Sequence, residues 1–260
     1  MTVRFSANLS MLFTEAPFLE RFGRAAAAGF RAVEFWWPAE DEPREVARAV
    51  RASGVEVALF NFDAGDMPGG ERGIASDPSR VDAFRGHVPV ALGLAEAVGC
   101  RRLNLLVGLA IDGLGRERQL DLARENVRFA ADAAAGIGAG VLIEPINALE
   151  NGPYLLPTVA EALAFIATVD RDNVALQYDV YHAQRSEGNI VDTIRAHVGR
   201  IGHVQVADCP GRGEPGTGEI RFAFVLDALT MAGYDGYVGL EYRPTTQTTE
   251  ESLGWMRDLG

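Results

Sequence analysis

The chain has 260 residues, a formal net charge of −12 and 48% hydrophobic residues, enough for one large domain or two small ones with a sizeable core. It contains no lysine, so all 24 basic residues are arginines, which excludes Schiff-base chemistry, a pyridoxal-phosphate lysine and a Walker-type phosphate loop. The acidic balance disfavours attraction to phosphate backbones, so no nucleic-acid partner is expected.

The first eleven residues alternate polar and apolar side chains around Arg4, unlike a signal peptide. No apolar run approaches the roughly 20 residues of a membrane span. Cys100 and Cys209 have neither metal-finger spacing nor the pattern of a disulfide framework. A cytoplasmic protein without membrane contact is the expectation.

Eight short runs, mostly rich in β-branched or aromatic residues and bounded by Gly, Asp or Pro, read as strands. They lie at residues 3–9, 32–36, 56–60, 102–106, 140–144, 174–178, 201–206 and 237–241. Helical periodicity fills residues 18–28, 81–98, 118–137, 159–169, 190–197, 223–231 and 250–259. Gly29, Gly54, Gly99 and Gly233 follow helical runs as left-handed caps would, Thr14 and Ser79 stand where N-caps belong, and Pro17 falls in a first turn. Eight strand–helix units over residues 1–260 predict a single (β/α)8 TIM barrel domain. An open doubly wound sheet would carry a glycine-rich turn after its first strand, and Ala7-Asn8-Leu9-Ser10 is not one. Two glycine-rich segments, 61–78 and 209–218, interrupt the rhythm on the side where barrel enzymes grip substrates.

Strand-final residues of such a barrel point into its mouth, which collects Glu144, Asp179, Gln205 and Glu241 from four consecutive strands. Oxygen donors of this kind suit a hard divalent cation, Mg²⁺ or Mn²⁺, with Co²⁺ also a candidate. Without one, three carboxylates so close together repel. His182 sits at the exit of the sixth strand, placed to donate to a substrate oxygen. His203 shares the inward face with Gln205, whereas His87 and His197 read as helix-face residues. Two glutamates beside one cation suit proton transfer next to a carbonyl through a metal-stabilised enediolate. Arg72 and Arg212, in the two glycine-rich segments, are the candidates to grip a substrate carboxylate.

The segment His203-Val204-Gln205-Val206-Ala207-Asp208-Cys209-Pro210-Gly211-Arg212-Gly213-Glu214-Pro215 closely resembles one in hydroxypyruvate isomerases. So do Ile143-Glu144-Pro145-Ile146-Asn147, the run from Asp179 to Arg185, and Phe60-Asn61 with the glycine-rich stretch after it. The resemblance runs from end to end and places the chain among xylose-isomerase-like barrels. It implies a divalent metal on Glu144, Asp179, Gln205 and Glu241, with Glu144 and Glu241 as the acid–base pair. His182, Arg212, Arg72 and Asn61 are then expected at the substrate. The implied reaction interconverts hydroxypyruvate and tartronate semialdehyde, a small 2-oxo acid being the partner. The branch also resembles 2-oxo-tetronate isomerases, so both substrates stay open, and so does assembly as a homo-oligomer. A ketose 3-epimerase comes next. A metal-dependent endonuclease of the same fold, which would want more histidines and a basic groove, and an inactive sugar-acid binder are disfavoured.

Overall fold

The computed structural model describes residues 3–257. All eight expected strands form: β1 (Arg4–Asn8), β2 (Ala32–Phe35), β3 (Glu56–Asn61), β4 (Arg102–Leu105), β5 (Gly140–Ile143), β6 (Val174–Asp179), β7 (Ile201–Val206) and β8 (Tyr237–Leu240). Each pairs in parallel with the next, and β8 returns to β1, so the sheet closes into a barrel. The (β/α)8 expectation is met.

Outside the strands lie α1 (Phe18–Ala27), α2 (Pro43–Ser53), α3 (Val81–Val98) and α4 (Arg116–Ala135). After β5 come the single turn α5 (Ala148–Asn151) and α6 (Val159–Val169); after β6 come α7 (Val180–Ser186) and α8 (Ile190–His197). α9 (Phe222–Met231) follows β7, and α10 (Thr249–Ser252) follows β8. The helix expected at 250–259 is therefore one α-turn followed by a 3₁₀ stretch, Leu253–Arg257. Residues 258 and 259 of that expectation lie outside the described residues.

Three further differences have simple causes. α2 was not expected, although Val46, Ala47 and Val50 share its buried face, because four charged residues keep the segment's overall apolarity low. Thr14 does not cap α1, which begins directly after Pro17 with no side-chain cap. Ser79 is not an N-cap either: Asp77 is, its carboxylate accepting from the Ser79 backbone nitrogen at 2.8 Å ahead of a 3₁₀ turn, Pro78–Arg80. The four glycine caps do adopt positive φ, with Gly54 and Gly99 ending α2 and α3.

Period-two alternation decides what enters the barrel. In β2, Phe35 turns outward to pack on Phe18 and Phe22 of α1, while Glu34 between Val33 and Phe35 turns inward. The inward set includes Ser6, Asn8, Glu34, Asn104, Gln177, His203 and Gln205, all buried. Barrel interiors are usually filled by Val, Ile and Leu. Here much of the upper filling is polar.

The loop after β7 is organised by one carboxylate. Asp208 is fully buried and accepts from the backbone nitrogens of Cys209, Gly216, Gly218 and Ile220 at 2.8–3.0 Å. Gly218 is required there, because a Cβ would overlap the Cys209 carbonyl. The loop is also tied to the β8 exit: Glu214 accepts from Thr245 N and Oγ1, and Arg243 N donates to the Arg212 carbonyl at 2.8 Å. These ties hold Arg212 in a left-handed conformation, φ 58°. Asp208→Ala leaves four amides without their acceptor, so it is expected to lower the unfolding free energy by about 2 kcal/mol or more in urea titration. A change within about 0.5 kcal/mol, the range of ordinary surface substitutions, contradicts that role.

Candidate active site

Glu144 follows β5, Asp179 ends β6, Gln205 lies near the end of β7 and Glu241 follows β8. All four are 1–4% exposed, so the three carboxylates have little water to lean on. Glu144, Asp179 and His182 each bring a ligand-type atom within 4.8 Å of the others. Asp179 and Glu241 share a single nitrogen of Arg212, at 3.2 Å from Asp179 and in close contact with Glu241. Gln177 joins the last member: its Nε2 donates to Glu144 Oε2 at 3.1 Å and to Gln205 Oε1 at 2.6 Å. The four expected residues thus converge.

Glu144 is held by one oxygen and Glu241 by both. Asn104 and Gln177 both donate to Glu144 Oε2, and no protein donor reaches Oε1 among the described residues. Trp36 Nε1 and Asn8 Nδ2 donate to Glu241 Oε1 at 2.8 and 3.1 Å, leaving Oε2 to Arg212. Asp179 divides its work similarly, with Oδ1 capping α7 through Tyr181 N and Oδ2 turned to Arg212.

The donor set fits a divalent cation. Burial, reinforced by Glu241 and Asp179, pushes the Glu144 carboxyl well above the usual range. Burial likewise raises Glu241 to about 7, with Arg212 opposing and Asp179 adding to the effect. Asp179 is raised by burial against the pull of Arg212. Burial works against the charge of Arg212, yet Glu241, Asp179 and Glu144 hold it above the ordinary arginine value. The carboxylates are short of positive charge, and one guanidinium answers only part of the deficit.

His182 is set by a chain of capping contacts. Asn147 caps α5, its Oδ1 accepting from Glu150 N at 3.1 Å, which turns its Nδ2 toward His182 Nδ1 at 2.7 Å. Nδ1 is then an acceptor, and the ring proton sits on Nε2, 3.6 Å from Asp179 Oδ2. Burial, then Arg212 and Arg72, lowers the His182 pKa well below its usual value, so the ring is a neutral donor. Among the other histidines, His203 is a barrel-core residue bonded to Glu34. His87 is not a plain helix-face residue, since its Nε2 accepts from Asp63 N at 3.0 Å and steadies the loop after β3.

Above the cluster opens a cavity of about 840 Å³, lined in part by Trp36, Met67, Arg72, Tyr181, Arg212 and Arg243. Arg72 is half-buried and held by neutral acceptors: Asn151 Oδ1, Met67 O and Glu71 O at 2.7–3.0 Å. No carboxylate pairs with it among the described residues. Asn61 ends β3 in register with Asn104 and is buried, but no side-chain hydrogen bond joins it to the cluster. Asn8, Glu34, Trp36, Asn104, Gln177 and Asn147 also shape the site and were not among the site residues expected from the sequence. Most are inward positions at the ends of strands, and a charge inside Ala32-Val33-Glu34-Phe35 was the available signal.

A family model for the xylose isomerase-like TIM barrel matches residues 22–259. The chain belongs to the xylose isomerase-like TIM barrel family. Within that family it is 43% identical over 254 residues to a hydroxypyruvate isomerase of Escherichia coli, covering 98% of each chain. It is 41% identical over 254 residues to a 2-oxo-tetronate isomerase of Cupriavidus necator, covering 98% of this chain and 97% of that one. A crystal structure described as an AP endonuclease, family 2, from Brucella melitensis superposes with a TM-score of 0.94 at 40% identity, over 99% of both chains. The resemblance read from the motifs therefore holds over nearly the whole chain.

The raised carboxyls give the site a pH signature. Glu241 binds its proton more tightly folded, at about 7, than at the ordinary 4.5, so its contribution to stability is present below pH 4.5 and lost as pH rises through 7. A cation competes with that proton and relieves the ionised form. Mn²⁺ added to chelator-treated protein is expected to raise Tm more at pH 8 than at pH 5.5. Equal increments at both values contradict the electrostatic account.

Proposed function

We propose that this protein is a metal-dependent isomerase that interconverts a short 2-oxo-3-hydroxy acid and its aldehyde or 3-oxo isomer. Hydroxypyruvate and tartronate semialdehyde are the simplest pair. The observation that carries the reading is the pairing of two buried, amide-anchored glutamates with Arg72, a cavity arginine that has no anionic partner among the described residues. The full-length relatives named hydroxypyruvate isomerase and 2-oxo-tetronate isomerase support it.

Glu144, Asp179, Gln205 and Glu241 would hold the cation, Mg²⁺, Mn²⁺ or Co²⁺. When bound, it polarises the substrate carbonyl and offsets the clustered negative charge. Arg72 and Arg212 receive the substrate carboxylate, which the acidic cluster would otherwise repel. His182 donates its Nε2 proton toward a substrate oxygen. One glutamate takes a proton from the hydroxyl-bearing carbon and an enediolate forms. A proton is then returned to the former carbonyl carbon, while the hydroxyl proton passes between the two oxygens. Asn104 and Gln177 fix the Glu144 carboxyl plane and leave its Oε1 for the transfer, while Trp36 and Asn8 fix Glu241, whose Oε2 is released to the substrate as Arg212 turns to the substrate carboxylate.

A second reading on the same site is a four-carbon 2-oxo-tetronate, supported by the full-length relative named 2-oxo-tetronate isomerase. A ketose 3-epimerase leaves Arg72 without a carboxylate to bind. An endonuclease is disfavoured by the net charge of −12 and by a cluster of Glu144, Asp179 and His182 with only one histidine. No helix among the described residues is long and apolar enough to cross a membrane. Two free, buried cysteines fit a reducing, cytoplasmic setting.

Turnover of hydroxypyruvate, 2-oxo-tetronates and D-fructose, with and without Mn²⁺ or Mg²⁺, tests the proposal. An oxo acid is expected to be the best substrate, with activity lost on chelation and restored by metal; full turnover in metal-free protein overturns the metal role. Glu144→Gln and Glu241→Gln should each lower kcat at least ~10²-fold. If one of them keeps wild-type turnover, that glutamate is only a ligand and a single base does the transfer. Arg72→Ala should raise KM about tenfold for the oxo acid, as expected for a charged hydrogen bond of about 1.5 kcal/mol, and leave any neutral ketose unaffected. Equal losses on both substrates count against the carboxylate role.

A further inference from the structure

Beneath the cluster the barrel holds another acid, Glu34 of β2, fully buried and used by none of the roles above. Its carboxylate meets four donors. Oε1 accepts from Gln205 Nε2 at 2.7 Å and Asn8 Nδ2 at 3.3 Å; Oε2 accepts from Ser6 Oγ at 2.8 Å and His203 Nε2 at 2.7 Å. β8 makes room for it, because Gly239 has no side chain and a Cβ there would overlap the Glu34 carboxylate.

Four donors converge on its two oxygens, so the Glu34 carboxylate acts here as an acceptor only. Gln205 must therefore present its amide nitrogen to Glu34, and its carbonyl oxygen faces the opposite way, toward Gln177 and Glu144. That oxygen accepts one bond from Gln177 and keeps a second lone pair. Asn8 carries the same constraint sideways. Its Oδ1 accepts from Ser10 N at 3.0 Å, which commits Nδ2 to both Glu34 Oε1 and Glu241 Oε1.

We propose that Glu34 is a positioning residue: by holding the Gln205 amide nitrogen it turns the Gln205 carbonyl oxygen into the cation site, and through Asn8 it aligns Glu241. The inference rests on the reading of Glu144, Asp179, Gln205 and Glu241 as cation ligands. It separates the two oxygens of one carboxylate. Oε1 serves the site through Gln205 and Asn8, whereas Oε2 serves only the packing of Ser6 and His203.

Titration of metal-free protein with Mn²⁺, followed by the EPR signal of the free ion, reads this directly, with Tm recorded for each variant. Glu34→Gln is expected to weaken Mn²⁺ binding about 10–100-fold, the usual consequence of losing a residue that orients a ligand. Ser6→Ala, which removes a donor from Oε2, is expected to lower Tm and leave Mn²⁺ affinity unchanged. Combining Glu34→Gln with Gln205→Glu reverses donor and acceptor at the same net charge, and should return affinity to within tenfold of wild type. Glu34→Asp keeps the charge but shortens the reach; it should also weaken binding, and it decides the matter if Glu34→Gln does not fold. Wild-type affinity in Glu34→Gln or Glu34→Asp, equal weakening in Ser6→Ala, or a double variant as weak as Glu34→Gln would each overturn the proposal. Wild-type protein that binds no Mn²⁺ is a distinct result, and removes the cation reading together with this inference.

Discussion

The mouth of this barrel concentrates more negative charge than its own residues neutralise. Glu144, Asp179 and Glu241 are almost wholly buried, and burial, with repulsion from neighbouring carboxylates, raises the carboxyl pKa of all three. Strand alternation creates the problem, since whatever ends a strand on the inward face must share one axis with its neighbours. The fold answers with amide donors, which fix each carboxyl plane without adding charge, and with arginines from the loops. Much of the polar interior described above follows from that arrangement.

The loops are built to deliver those arginines at fixed places. Asp208 gathers four backbone amides, and Glu214 and Arg243 bind the loop to the β8 exit, so Arg212 stands over the cluster in a strained, left-handed backbone. Its guanidinium also lies over the Tyr181 ring, 5.3 Å from the centroid, a placement that favours a cation. Arg72 is positioned differently, by neutral acceptors alone, which leaves its charge available. One arginine belongs to the cluster and the other faces the cavity. A substrate that is itself an anion makes sense of both.

Most of the fold was legible because β-branched runs of four to six residues alternate with helical stripes at near-regular spacing. α2 was not, because four charged residues in eleven keep the segment's overall apolarity low even though its apolar residues share one face. α7 was hidden for another reason: Asp179 is at once the last residue of β6 and the N-cap of α7, so no loop separates strand from helix. That Glu144, Asp179, Gln205 and Glu241 come together was legible because acids or amides end four consecutive strands. The residues that hold them were not. Asn8, Trp36, Asn104 and Gln177 are ordinary residue types whose significance lies in pairing across the barrel, as with Asn8 and Glu241, 233 positions apart. Glu34 was the exception in kind, a lone charge inside an apolar strand.

The central claim is that these carboxylates are a cation site, with Arg212 answering part of its charge. Anomalous diffraction from crystals soaked in Mn²⁺ tests it most directly. The account predicts one strong peak among the side-chain oxygens of Glu144, Asp179, Gln205 and Glu241. No peak there, with Arg212 still joining Asp179 to Glu241 at saturating Mn²⁺, would contradict it.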